Sequence, residues 1–299
     1  MKNDFLKYIF SLLIFGSNGI LASMIDITSY EIVFFRTFIG SVLLITAFII
    51  TKNKFTFFKE KQSFLMLIFS GISMGVSWIF LYEAYNQIGV SIATLCYYCG
   101  PVIVMVLSPF LFKEKFTLIK LLGFLTVIFG ICLINLKAVN SGINFLGICF
   151  GMISALMYAL MVIFNKKCQN IQGLENVIIQ LFVSSLTAGI YTFFKKGISV
   201  NVSFESLVPL LILGIINTGF GCYLYYSSIG KLPVQTLSVC GYLEPLSAIV
   251  FSALILKEVL SLMQIAGGIL IIAGAIISEG IISEKISQKP LLLRHSLKR

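Results

Sequence analysis

Residues 238–251 read Ser-Val-Cys-Gly-Tyr-Leu-Glu-Pro-Leu-Ser-Ala-Ile-Val-Phe, with one carboxylic acid, Glu244, directly before Pro245 in an apolar run. A carboxyl group in low-dielectric surroundings is biased toward its neutral form, so it can trade a proton for a cation that reaches it. Proline lacks an N–H and clashes with the carbonyl four residues back, which predicts a freed carbonyl at Gly241. Irregular backbone at membrane depth is tolerated where it is buried in protein or lines a cavity. Acid and break together predict one cavity. Gly100-Pro101 repeats the break earlier in the chain.

Two other ionisable residues, Arg36 and Glu83, lie in or at the end of apolar runs. Such a group costs about 2.5–3.5 kcal/mol at membrane depth, so it needs a partner or a water-filled cavity. Arg36 and Glu83 are expected to form a charge pair near the outer surface. For Glu244 two readings stand: a carboxylate bonded to Tyr or Ser neighbours to fix helix packing, or a substrate and proton site. Trp78, Tyr97, Tyr98, Tyr223 and Tyr242 supply aromatic faces with polar tips. Aromatic faces around a carboxylate suit a cation or a zwitterion with an apolar part. Asn18 and Asn217 are further candidates to face the cavity.

Other chemistries find no support. The single histidine, His295, lies in the tail, which excludes a His-ligated metal or a Ser-His-Asp site inside the membrane. Cys96-Tyr-Tyr-Cys99 has no second pair to complete a metal or redox motif. There is no P-loop and no clustered acids or histidines of the kind a lipid-acting enzyme needs. No catalytic residue, metal or cofactor is expected.

The elements that must position these residues follow from composition. The chain has 299 residues, 58% hydrophobic and 11% charged, with a mean hydropathy of +1.01. Soluble domains carry about a quarter charged residues, so this is an integral membrane protein. Apolar runs of about 20 residues match a bilayer core of about 30 Å. They fall at 5–24, 30–51, 62–83, 90–112, 117–136, 143–164, 173–194, 206–228, 232–256 and 261–282. The expected fold is all-α with ten transmembrane helices. With the N-terminus inside, 17 basic residues fall in inner segments against four (Lys137, Lys195, Lys196, Lys257) in outer ones. The positive-inside rule then puts both termini in the cytoplasm of a multi-pass cell-membrane protein. The net charge of +10 is thus mostly topology, and no nucleic-acid partner is implied.

The chain also repeats. At an offset of 144, Glu31 meets Glu175, Gly75 meets Gly219, Tyr82 meets Tyr226 and Pro101 meets Pro245. Lys113-Glu114 meets Lys257-Glu258, Gly123 meets Gly267, and Gly130 meets Gly274. Coincidence of rare residues at one offset marks an internal repeat. Five spans per half is an odd number, so the second half enters with opposite polarity, the pattern of secondary transporters with a midplane site. The halves are 1–138 and 139–282, followed by a basic tail, 283–299. The four glycines, seven apart on spans 5 and 10, are expected to serve close helix packing. The Lys-Glu turns are expected to cap helix starts.

This pattern resembles the EamA type of the drug/metabolite transporter superfamily over about residues 5–282. Carrying the resemblance are Phe15-Gly16-Ser17-Asn18, Arg36, Leu243-Glu244-Pro245, both Lys-Glu turns, and Gly123/Gly130 with Gly267/Gly274. Phe15 replaces the family's usual Trp, and the second half has Gln180 where the first has Arg36. Relatives handle amino acids, nucleotide sugars, cations and drugs. The resemblance implies a secondary active transporter of a small organic solute, amino-acid-like, cationic or drug-like, with export as the expected direction. A passive channel is the alternative, and a lipid-acting membrane enzyme a weaker one. Expected partners are the solute, the bilayer and protons, and a homodimer stays open.

Overall fold

The computed structural model describes residues 2–52, 55–113, 117–134, 144–168, 170–197, 202–255, 257 and 261–278. All regular structure among these residues is helical. The first half contains α1 (Lys2–Phe15), α2 (Asn18–Ser23), α3 (Ser29–Ile50), α4 (Lys61–Tyr97), α5 (Cys99–Phe112) and α6 (Leu118–Ile134). The second contains α7 (Phe145–Lys167), α8 (Gly173–Lys196), α9 (Phe204–Ile212), a π-helical segment (Leu213–Gly221), α10 (Cys222–Ile229), α11 (Val234–Cys240), α12 (Leu243–Ile255) and α13 (Leu262–Ser278).

Seven helical stretches among the described residues are long and apolar enough to cross a membrane, and three apolar helices are shorter. Phe110, Phe194, Phe204 and Leu262 turn at least 80% of their surface outward. Large apolar side chains in such number on the outside belong against lipid. The chain is a multi-pass membrane protein.

The breaks correct two expectations. Residues 84–89, read as a loop between spans, are helical, and α4 runs unbroken to Tyr97. No proline interrupts that stretch, and a lone Gly89 costs only about 1 kcal/mol in a helix. The chain breaks instead at Tyr98, so that Pro101 becomes the third residue of α5. In the first turn a missing N–H leaves no carbonyl unpaired. Pro245 likewise is the third residue of α12. Gly241's carbonyl is therefore not free: it accepts the Glu244 N–H at 3.2 Å. The first span is also broken, at Gly16-Ser17 between α1 and α2.

Packing follows the small residues. A Cβ on Gly130 would stand 2.6 Å from the Gly267 carbonyl, and one on Gly274 2.5 Å from the Gly123 carbonyl. α6 and α13 therefore pack at backbone distance, as expected of these glycines. Lys113 and Lys257, at the ends of α5 and α12, both adopt left-handed backbone, φ 55° and 56°. Glu114, Glu258, the loop 137–142 and the tail 283–299 lie outside the described residues.

Candidate functional site

The break in the first span exists because α12 comes against it. A side chain at Gly16 would collide with Ser247 and the Ala248 N–H. Ser247 bridges the two elements, its Oγ within bonding distance of the Leu12 carbonyl (3.3 Å) and the Glu244 carbonyl (2.8 Å). The Phe15-Gly16-Ser17-Asn18 and Leu243-Glu244-Pro245 motifs, more than 200 residues apart in sequence, thus form one locus.

Glu244 is only partly buried, whereas its neighbours Tyr242 and Pro245 are buried. Among the described residues no hydrogen bond reaches its carboxyl. Tyr8, Tyr97, Tyr98 and Tyr158 all lie near enough to feel its charge. The shell is closely knit. Tyr97 packs on Tyr98 and Tyr158, with ring centroids 5.7 and 5.3 Å apart. Tyr158 and Tyr225 share a hydroxyl contact of 3.1 Å. Both breaks are stitched by tyrosine hydroxyls: Tyr242 donates to the Tyr98 carbonyl at 2.8 Å, and Tyr8 to the Leu237 carbonyl at 2.7 Å. The packed rings, with Tyr8 and Tyr242 tied to backbone carbonyls, form an aromatic shell beside the acid.

Arg36 lies near enough for its charge to act on Glu244. It is 3% exposed, and its guanidinium lies 4.5 Å from the Trp78 ring centroid. Nε donates to Thr218 Oγ1 at 2.9 Å and Nη2 to Asn18 Oδ1 at 3.2 Å. Asn217 joins the group, donating to Asn18 Oδ1 at 3.0 Å, Ser17 Oγ at 2.8 Å and the Ile14 carbonyl at 3.0 Å. Asn217 and Thr218 sit on the π-helical segment, where Thr218 Oγ1 bonds the Leu213 carbonyl five residues back at 2.8 Å. π-helical turns are rare and gather at functional sites. Here one carries Thr218, which accepts from the buried guanidinium, beside Asn217, which holds Asn18. The expected Arg36–Glu83 pair does not form: Glu83 accepts the Tyr191 hydroxyl at 2.9 Å instead. Arg36 sits too deep, among side-chain amides and hydroxyls, to meet a carboxylate at the end of the span.

The family model described as EamA-like transporter family matches residues 5–136 and again 145–279. The chain belongs to this family. Among curated relatives, it is 25% identical to the uncharacterized transporter YxxF of Bacillus subtilis (strain 168), over 90% of this chain and 87% of that one. Two others from that organism are the uncharacterized transporters YoaV, at 22% over 80% and 83%, and YdfC, at 23% over 86% and 83%. A solved crystal structure matches with a TM-score of 0.81 at 16% identity, covering 92% of this chain and 98% of that one, which supports the fold.

Within this EamA-like chain the structure gathers Glu244, Tyr97, Tyr98 and Tyr242 into one group, and Arg36, Asn18, Trp78 and Asn217 into a second. Pro101 and Pro245 start the broken helices beside the first group. Tyr223 is half-buried against the core, and no hydrogen bond ties it to either group. Tyr8, Tyr158 and Thr218 are site neighbours that spacing did not single out. Tyr8 and Tyr158 have Met152 and Ile14 at the repeat offset, so no repeated rare residue marks them.

Proposed function

We propose that the chain is a secondary active transporter of a small organic solute in the cytoplasmic membrane, with ten spans in two inverted halves, 1–138 and 139–282. Both termini face the cytoplasm, and export is the working direction. One observation carries the reading: the carboxyl of Glu244 has no hydrogen bond among the described residues and lies among tyrosines at a helix break. An acid at membrane depth without a partner is costly, and a proton or a cationic solute relieves that cost alternately. Arg36 spends only Nε and Nη2 on neutral acceptors. Five N–H donors on a buried cation leave room for an anionic group. Among the proposed solutes, the acid and guanidinium favour an amino-acid-like zwitterion with an apolar part.

The test is counterflow in proteoliposomes with a panel of zwitterionic, cationic and neutral metabolites, beside Glu244→Gln. Saturable counterflow that requires Glu244 supports the proposal. Solute flux without counterflow means a channel, and wild-type accumulation by Glu244→Gln makes the acid structural. Reporters at 52–61, 113–120 and 283–299 are expected in the cytoplasm, and those at 137–142 and 195–205 outside. A cytoplasmic reporter at 195–205 removes the inverted repeat.

A further inference from the structure

Contacts between residues related by the 144-residue offset fall into two kinds. Some are made in both senses. Gly130 lies against the Gly267 carbonyl, and their counterparts Gly274 and Gly123 make the same contact in reverse. That reciprocity is what a two-fold relation between the halves produces.

Others are made in one sense only. Tyr98 and Tyr242 are counterparts, 144 residues apart, and touch each other with ring centroids at 5.9 Å. Tyr242 donates its hydroxyl to the Tyr98 carbonyl, and the reverse bond, Tyr98 to the Tyr242 carbonyl, is absent. The α3–α8 pair repeats this asymmetry. Glu31 and Glu175, each third in its helix, are counterparts, as are Lys52 and Lys196, just past the end of α3 and at the end of α8. Lys196 bridges Glu31 at 2.9 Å at one end of the pair. At the other end Lys52 has no ion pair among the described residues, and Glu175 instead accepts the Thr56 N–H (2.7 Å), the Thr56 hydroxyl (2.7 Å) and the Phe57 N–H (2.8 Å).

When inverted halves exchange conformations, a contact made both ways survives and a contact made one way is swapped for its counterpart. We infer that the Tyr242–Tyr98 bond and the Glu31–Lys196 bridge are paired latches of one state, replaced in the opposite-facing state by Tyr98–Tyr242 and Glu175–Lys52. This rests on the transporter reading above. α6 and α13, whose contacts are reciprocal, are the part that stays put.

Tyr242→Phe removes a bond from the present state only, and Tyr98→Phe from the other state only. One buried hydrogen bond corresponds to about a two- to tenfold change in the balance. Hydrogen–deuterium exchange on the purified full chain in nanodiscs, without solute, reads both ends of the α3–α8 pair. Tyr242→Phe is expected to raise exchange at 28–33 and 190–197, where the Lys196 bridge opens, and at 56–57, whose N–H groups lose Glu175 when it pairs with Lys52. Tyr98→Phe is expected to do the opposite, and the double variant to return near wild type. Lys196→Gln and Lys52→Gln, remote from the tyrosines, should reproduce the two opposed shifts. Single variants that move the same end in the same direction, or that both leave exchange unchanged while folded, overturn the latches. Counterflow is measured separately, so loss of the latches leaves the transporter reading standing, and a failed solute panel leaves the exchange result readable.

Discussion

α5 and α12 begin with the same backbone device and different chemistry. Cys99-Gly100-Pro101 and Leu243-Glu244-Pro245 occupy equivalent places, each with proline third in its helix. Gly100 is thus the counterpart of Glu244. A Cβ at Gly100 would stand 2.7 Å from Tyr158 Cδ1 and 3.0 Å from the Ala155 carbonyl. No acid fits there. Glu244 is only partly buried as a residue, and Tyr158 is again a neighbour. The break is common to both places. The acid stands in one half only, because Tyr158 and the Ala155 carbonyl fill its place in the other.

The largest expected effect comes from removing the acid alone. Glu244→Gln keeps shape and hydrogen-bonding capacity and should abolish proton-driven accumulation while leaving the protein folded and inserted, read by uptake assays beside thermal melting. Next comes the opposite half. Gly100→Ala should cost about 1–3 kcal/mol of stability through overpacking, seen as a lower melting temperature. If Gly100→Ala melts like wild type, the two breaks are not distinguished by packing. Smaller again, Pro101→Ala and Pro245→Ala should each lower transport rate more than stability, because first-turn prolines support the break rather than the core. Wild-type rates for both would reduce the breaks to packing features.

Much of this contrast was legible in the sequence. Rare residues carry information in an apolar chain, so Glu244, Arg36, both prolines and the four glycines stood out by type and offset. Membrane depth is one-dimensional, so the sequence located Arg36 along its span but not around it. That is why the charge pair with Glu83 failed: Thr218, Asn18 and Trp78 surround the guanidinium laterally, from three other elements. Hydropathy also cannot place a helix end where both sides are apolar. The α4–α5 junction at Tyr98 sits inside a continuous apolar run and was misplaced by about ten residues. Tyr8 and Tyr158 were invisible for a related reason, since tyrosine is common in membrane spans and only the fold brings these two to the acid.

The smallest effect sharpens the comparison most, because Tyr158 belongs to both sides of it. Its ring closes the space at Gly100, packs on Tyr97 at 5.3 Å, and carries a hydroxyl 3.1 Å from that of Tyr225. Tyr158→Phe keeps the ring and deletes one hydroxyl contact, worth about 0.5–1.5 kcal/mol. Stability should fall by no more than that, and apparent solute affinity by less than about tenfold. Tyr158→Ala removes the ring and frees the space against Gly100. In that background Gly100→Ala should lose most of its penalty, a coupling of the size found between residues in direct contact. Additive melting shifts in this double-mutant cycle would mean that the Ala155 carbonyl, not Tyr158, keeps the first break free of a side chain.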